Sequence, residues 1–586
     1  MKWDLTYLFE TEEDFLHGYE ALSSYVEKLS SYKGKLSDEK SFVEFYTIQR
    51  DFNEALGRVY QYASLKSDLN KKDVKAASDL GKVTMVLYDY EEKLSFESPE
   101  VLALGKEKVM GFVDRNPEIE EFRFIFEKLF HQNEHVLDAK SEKLLSYYSS
   151  LSEAGSELYS SLAVADGKPV EITLTNGEKV TVTQGNFRAL IAESKDANDR
   201  KNIFEAVYKD FDDHKNTYAQ IYKAVLDADK ANAKARNYNS SLEAALFGNN
   251  IPLSVYHNLI EVASTENTAL KKYLRLRKKA LGIENYCTYD RFIPLAKSDK
   301  KYTFEEAKEL FFKSVEKFPE DFQEKAHEAV RDGFVDVYEQ PGKRTGAYSS
   351  GMANLHPFIL LNHDGTLDSV FTVAHESGHS THSMYAMEAQ PTMLQDYTIF
   401  VAEIASTFNE HNLLDLFLES NASKEEKIIV IQKAIDEIYA TFYRQTLFAE
   451  YELKAHELNE HDQPINHEVL SNIMIDLYKK YYDLDITKEG VKSLVWAYIP
   501  HLFYTPFYVY QYATSFAASF KLYKDVKDNV PGAFTRYTNL LKAGGSKYPM
   551  DEVKEAGVDF TKKDAFMAVV ERMNELVDEL EKLLNE

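Results

Sequence analysis

The stretch Val370-Phe-Thr-Val-Ala-His375-Glu376-Ser-Gly-His379-Ser-Thr-His382 carries His-Glu-x-x-His behind an apolar run, and the reading of the fold starts there. Each residue of a helix rotates by about 100°, so positions four apart stack on one face. On such a helix His375 and His379 can each offer a ring nitrogen to one zinc ion. Glu376, beside them, reaches the water of such a site rather than the metal. Val370, Phe371, Val373 and Ala374 make this helix at least partly buried. There, two histidines and a glutamate are costly unless a metal or hydrogen bonds satisfy them. The plainer alternative is a surface helix with solvated histidines.

A catalytic zinc takes three protein ligands and leaves one position open. A metzincin would continue with glycine three residues and histidine six residues after the second histidine. Those positions are His382 and Tyr385, so that class is excluded. The remaining common solution is a glutamate on a following helix. Ile399-Phe-Val-Ala-Glu403-Ile-Ala-Ser-Thr-Phe-Asn-Glu410 is strongly apolar and interrupted by Glu403, 24 residues past His379. That is enough chain to finish one helix, turn at Gln390-Pro391 and run back alongside it. A carboxylate in an apolar surface needs a counter-charge, which zinc would supply, and an internal salt bridge is the alternative. Glu410, two turns on, either orients a ligand histidine or is a solvated helix end. His382 is either a neighbour of the site or a plain core histidine.

Outward from this segment the chain reads as helices. Thr303-x-x-Glu306 and Ser423-x-x-Glu426 are capping-box patterns before apolar-periodic runs, as is Ser41-x-x-Glu44. Phe566, Val569, Met573, Leu576, Leu580 and Leu583 line one face of a C-terminal helix. Glycine (23) and proline (14) sum to 37 of 586 residues, about 6% against roughly 12% on average. So few chain-breakers argue against an all-β protein. With 69 basic and 96 acidic side chains the net charge is −27, which excludes nucleic acid as a partner. Cys287 is the only cysteine, so no intramolecular disulfide or multi-cysteine metal cluster is available. The N-terminus lacks the apolar stretch of a secretory signal, and no apolar run is long enough for a membrane span. We therefore expect a cytoplasmic protein.

Two regions break the helical pattern. Residues 170–183 alternate apolar and polar side chains around Asn176-Gly177, a hairpin signal. Gly346-Ala-Tyr348-Ser-Ser-Gly351 followed by His356-Pro-Phe-Ile-Leu-Leu-Asn362 reads as a glycine-bounded loop feeding an extended segment. Between Tyr498 and Tyr512, tyrosines and His501 are dense enough to supply donors for a tetrahedral oxyanion. Tyrosines at alternate positions cannot all face one site, so one or two are expected to act and the rest to pack.

These segments together resemble the oligoendopeptidase F branch of the thimet-oligopeptidase-like zinc peptidases. The signatures are Trp3-Asp-Leu, Gly346-Ala-Tyr348, His356 through His382, Val401-Ala-Glu403-Ile-Ala-Ser-Thr-Phe-Asn-Glu410, Ile499-Pro-His501 with Phe507-Tyr-Val-Tyr-Gln-Tyr512, and Ala543-Gly-Gly-Ser-Lys-Tyr548-Pro. Ser377 stands where relatives often carry a bulky apolar residue. The resemblance implies a mainly α fold: a helical two-lobed shell around a deep channel, with a small β-hairpin or sheet near the zinc helix. It implies one zinc per chain on His375, His379 and Glu403, with Glu376 as general base. His501 and Tyr510, then Tyr508, match the catalytic positions of the family. Gly346, Ala347, Tyr348 and His356 match the substrate side, where 347–361 would form the edge strand that takes the peptide backbone. Gly544, Gly545 and Tyr548 match a loop near the substrate.

The expected organisation is an N-terminal helical region over 1–115, a region with the hairpin over 116–190 and the catalytic region over 191–586. The expected activity is cleavage of internal bonds in short unstructured peptides, with no nucleic acid and no membrane involved. A non-catalytic helical peptide-binding protein is the first alternative, and Glu376 argues against it. A zinc carboxypeptidase is the second; it needs a cation for the substrate's C-terminal carboxylate, and no basic motif near the site advertises one.

Overall fold

The structure, a computed structural model, describes residues 2–586 and is 71% helical. In chain order we label α1 (Glu12–Ser30), α2 (Glu39–Leu69), β1 (Val170–Thr173), β2 (Lys179–Val182), α3 (Phe304–Val315), β3 (Val335–Asp336), β4 (Tyr348–Ser350) and β5 (Phe358–Leu360). They are followed by α4 (Leu367–Ala389), α5 (Ile399–Glu419), α6 (Lys424–Glu437), α7 (Arg444–Glu460), α8 (Tyr510–Lys527), α9 (Ala533–Ala543) and α10 (Asp564–Asn585). Side-chain caps fix several starts. Thr303 and Glu306 close a reciprocal capping box at α3, and Ser423 and Glu426 close another at α6. The box expected at Ser41 and Glu44 does not form. Asp38 caps α2 instead, accepting the Ser41 N–H, because a carboxylate meets the exposed N–H groups and the positive end of the helix dipole better than a hydroxyl does.

The chain divides into two compact units. The first comprises residues 1–134, 299–419 and 518–558. Its N-terminal core joins Trp3 and the apolar faces of α1 and α2 to the inner side of a three-stranded sheet of order β3-β5-β4. β3 runs parallel to β5 and β4 antiparallel to it. The Trp3 indole N–H donates to the Ile359 carbonyl at 2.8 Å, which ties the Trp3-Asp-Leu start to the central strand. The segment 347–361 is thus not a single edge strand. Ala353 and Asn354 adopt φ of 50° and 63° and turn the chain back, so β4 lies at the edge and β5 at the centre. Helix α4 packs on β4 and is flanked by α3, α5 and α9.

The second unit comprises residues 135–298, 420–517 and 559–586. In it β1 and β2 pair antiparallel from Val170 with Val182 to Thr173 with Lys179, around Gly177 at φ 85°. α10 buries its stripe of Phe566, Val569, Met573, Leu576, Leu580 and Leu583, and packs on α6. Among the described residues no helix is long and apolar enough to cross a membrane.

Candidate metal centre

Helices α4 and α5 meet at Gly378, between the two motif histidines. A β-carbon there would lie 2.5 Å from the Ala405 carbonyl oxygen and 2.5 Å from the Ser406 Cα, so only glycine permits this approach. Phe400, Val401, Ile404 and Ala405 of α5 are buried, which anchors the helix by its apolar residues and carries Glu403 to the histidines. Two cross-links hold the register. Asn409 donates to the Ala374 carbonyl at 3.1 Å, and Ser519 donates to the Ile404 carbonyl at 3.0 Å.

The result is a tight donor set. The Nε2 atoms of His375 and His379 are 3.2 Å apart, and Glu403 Oε2 lies 3.4 Å from the first and 3.5 Å from the second. Ligand atoms about 2.1 Å from a tetrahedral zinc stand roughly 3.4 Å from one another, so these residues fit such an ion. The electrostatics agree. Burial alone would raise the Glu403 carboxyl, but the hydrogen bond to His375 and the two imidazoles hold it down at about 2. Burial opposes charge on His375 too, yet Glu410 and Glu403 raise it well above the ordinary imidazole range. His379, buried and beside His375, drops to about 4. The carboxylates therefore favour one positive charge among these nitrogens, a demand that a metal cation meets.

Glu376 sits in the same cluster with a different environment. Burial raises its carboxyl to about 7, with Glu403 and Glu410 adding to the effect and His375 and the Ser349 backbone N–H opposing it. Its Oε2 is buried with no hydrogen-bond partner among the described residues. Glu410, buried near the end of this helix contact, places Oε1 3.3 Å from His375 Nδ1.

Comparison with known proteins decides the family. The model for "Peptidase family M3" matches residues 190–572, and that for "Oligopeptidase F" matches residues 100–168. The chain belongs to peptidase family M3. Oligopeptidase PepF of Bacillus subtilis is 35% identical over 99% of this chain and 87% of its own length. Group B oligopeptidase PepB of Streptococcus agalactiae is 34% identical over 100% and 97%. The crystal structure of oligoendopeptidase-F from Enterococcus faecium, at 28% identity, superposes with a TM-score of 0.75 over 98% of this chain and 99% of its own. This M3 chain is accordingly a metallopeptidase of the oligopeptidase type, and its family implies a metal and peptide substrates.

The remaining residues of interest in this M3 peptidase are distributed unevenly. In the first unit, Ser349 lies on the face of β4 toward α4, its hydroxyl 2.8 Å from that of Ser380. Tyr348 beside it donates its hydroxyl to Asp68 at 2.7 Å, while Gly346 (φ 82°) and Ala347 form the approach to β4. His356 is occupied by Glu328 at 3.3 Å, the Pro357 carbonyl at 2.7 Å and the Phe334 ring. His382 is fully buried and stacks on Tyr397 with centroids 3.6 Å apart; burial and His379 lower its pKa to about 3, so it is neutral. Gly544 and Gly545 press on the loop between α4 and α5, where added β-carbons would fall 2.2 Å from the Leu394 carbonyl and 2.3 Å from that of Asp396. Tyr548 packs edge-on against Phe124.

In the second unit, His501, Tyr508 and Tyr512 form a ring cluster with centroids 5.5 to 6.0 Å apart, and the Tyr512 hydroxyl lies 3.4 Å from His501 Nε2. Tyr510, which the resemblance pairs with His501, is buried against Tyr256 instead. Helix geometry explains this: Tyr510 and Tyr512 are two residues apart at the start of α8, about 200° around the helix, so they point to opposite sides. Sequence reasoning missed Ser406, whose hydroxyl donates to Glu403 at 2.9 Å, and within the tyrosine-rich segment it did not single out Tyr512, the ring beside His501. The first carries no signal beyond its i+3 spacing from Glu403.

Proposed function

We propose that this chain is a zinc-dependent oligoendopeptidase that cleaves internal bonds of short unstructured peptides. The observation that carries this reading is the set of three donors 3.2 to 3.5 Å apart with the buried Glu376 carboxyl beside them. His375, His379 and Glu403 would hold the zinc, and Glu410 would keep His375 Nδ1 protonated so that Nε2 faces the ion. Zinc bound there lowers the pKa of water toward neutrality and polarises a peptide carbonyl.

The proton work belongs to Glu376. As a carboxylate it takes a proton from the attacking water, and as the acid it returns that proton to the leaving amine. Burial, which raises this carboxyl, favours its holding the proton between the two halves. The Ser349 N–H fixes the orientation of the carboxylate. β4 pairs with β5 on one side, and its other edge suits addition of an extended peptide strand.

Replacing Glu376 by Gln should keep zinc stoichiometric and lower kcat by at least about 10²-fold. Near-normal turnover would sink the mechanism. An internally quenched peptide blocked at both ends should be cut, and a chelator should stop the cutting. Strict dependence on a free C-terminus would move the reading to a carboxypeptidase.

A further inference from the structure

The chain carries a net charge of −27, yet four cations in the second unit stand together without a carboxylate partner within ion-pair distance among the described residues. They are Arg188, Arg291, Arg444 and Lys492. The guanidinium groups of Arg188 and Arg291 lie over the same ring, Phe292, at 5.7 and 5.0 Å. Arg291 also lies 4.5 Å from the Tyr439 ring centroid. From Tyr439 the aromatic wall continues through Tyr482 to Tyr478 with centroids 5.0 and 5.1 Å apart. The Lys492 ammonium faces Tyr478 at 5.3 Å and Tyr208 at 5.7 Å. Burial and then the Arg444 charge push the Lys492 pKa down to about 7; Glu489 opposes them, and Arg291 and Arg188 add to the lowering, so all three arginines act on one ammonium.

The nearby acids are committed elsewhere. Glu489 accepts the Thr288 N–H at 2.8 Å and its hydroxyl at 2.5 Å. Asp436 accepts the Tyr273 hydroxyl at 2.8 Å and the Gln432 amide at 3.2 Å. Asp290 is paired with Arg200 at 2.8 Å. Three arginines, with Lys492 only partly charged near neutrality, thus face the two acids Glu489 and Asp436, and positive charge is left over. The backbone is also irregular here. Residues Ile438–Tyr443 form a π-helical turn between α6 and α7; Tyr439 lies within it and Arg444 directly follows it. Such turns interrupt an α-helix at a cost and concentrate at functional sites. Arg188 is exposed and Arg291, Phe292 and Arg444 are half-buried, so the cluster is open to a ligand from that side.

We propose that this cluster is an anion site that takes the C-terminal carboxylate of a peptide. Guanidinium forks match a planar carboxylate and bind it with two parallel hydrogen bonds. The aromatic wall withholds water and strengthens each of those bonds. A chain as acidic as this one repels polyanions, which favours a singly charged group over a polyphosphate. Every unblocked oligopeptide brings one such group whatever its sequence. This inference rests on peptides being the substrates but not on the identity of the metal or the base.

The test reads binding rather than turnover, so it stands apart from the hydrolytic mechanism. A neutral octapeptide without acidic side chains is titrated calorimetrically, as free acid and as amide, into the Glu376→Gln protein. The free acid should bind at least about tenfold more tightly than the amide. Adding Arg444→Met or Arg291→Met should bring the acid down to the level of the amide and leave the amide unchanged. Arg188→Met, at an exposed position, should narrow the gap even if the half-buried variants fail to fold. Equal affinity of acid and amide, or no measurable binding of the acid, overturns the proposal. So does an acid preference that survives all three substitutions. Full recovery of affinity by an amide carrying one internal glutamate would assign the cluster to acidic side chains and overturn the C-terminal assignment.

Discussion

The metal centre on α4 and α5 and the aromatic segment 495–512 are built in opposite ways. The first uses two regular helices: His375 and His379 are one turn apart, Glu403 and Glu410 two turns apart, and Gly378 sets the spacing of the pair. The second breaks the helix repeatedly, into Val495–Tyr498, His501–Tyr504 and α8, with Phe507 at φ 57° before the last of them. That left-handed backbone is held by a buried acid: Glu452 accepts the Phe507 N–H at 2.8 Å. Regular helices make a site that each residue supports locally. A broken segment makes one that depends on a distant group.

Substitutions can break or sharpen this contrast. The largest effect is expected at Gly378. Ala would force α5 away, so bound zinc should be lost and kcat should fall by at least about 10²-fold, because displacement of about 1 Å already costs that much; metal analysis and turnover on a quenched peptide check it. In the broken segment the expected effects split by face. Tyr508→Phe should lower kcat by about 10²-fold if its hydroxyl serves an oxyanion. Tyr510→Phe, in the core beside Tyr256, should leave kcat within about twofold, and a reversed pattern would restore the assignment made by resemblance. Glu410→Ala should weaken zinc by about 10- to 100-fold in chelator competition, with the three ligands still in place.

The smallest effect concerns Glu452. Burial raises its carboxyl to about 8, so the folded state keeps a proton that the unfolded chain gives up above the ordinary carboxylate range. Wild-type stability should therefore decline as pH rises from about 5 to 8. Glu452→Gln keeps an acceptor for Phe507 and should flatten that decline in Tm; an unchanged slope would show that Glu452 does not titrate in this window.

Much of the metal centre was legible because its chemistry is local. His-Glu-x-x-His, a lone acid in an apolar run and an acid two turns on are patterns of spacing, and helices turn spacing into position. The Thr303 and Ser423 caps were readable for the same reason. Ser41 was misread because Asp38, three residues earlier, competes for the same N–H groups. The strand 347–361 was read as continuous because nothing in it is glycine or proline at the actual turn, Ala353-Asn354. Tyr510 lies buried beside Tyr256 while Tyr512 adjoins His501, and a resemblance fixes such a segment more firmly than it fixes which face of it is used.

The sequence by itself determined a helical chain and pointed to His375, Glu376, His379 and Glu403 as one cluster, since each follows from periodicity, burial and charge along a few turns. Only the tertiary structure decided that Gly378 is the contact point of two helices, that Ser349 holds Glu376, and that Tyr510 packs in the core. It alone gathered Arg188, Arg291, Arg444 and Lys492, which lie up to 304 residues apart in the chain. Such contacts join residues distant in sequence, and no local period records them.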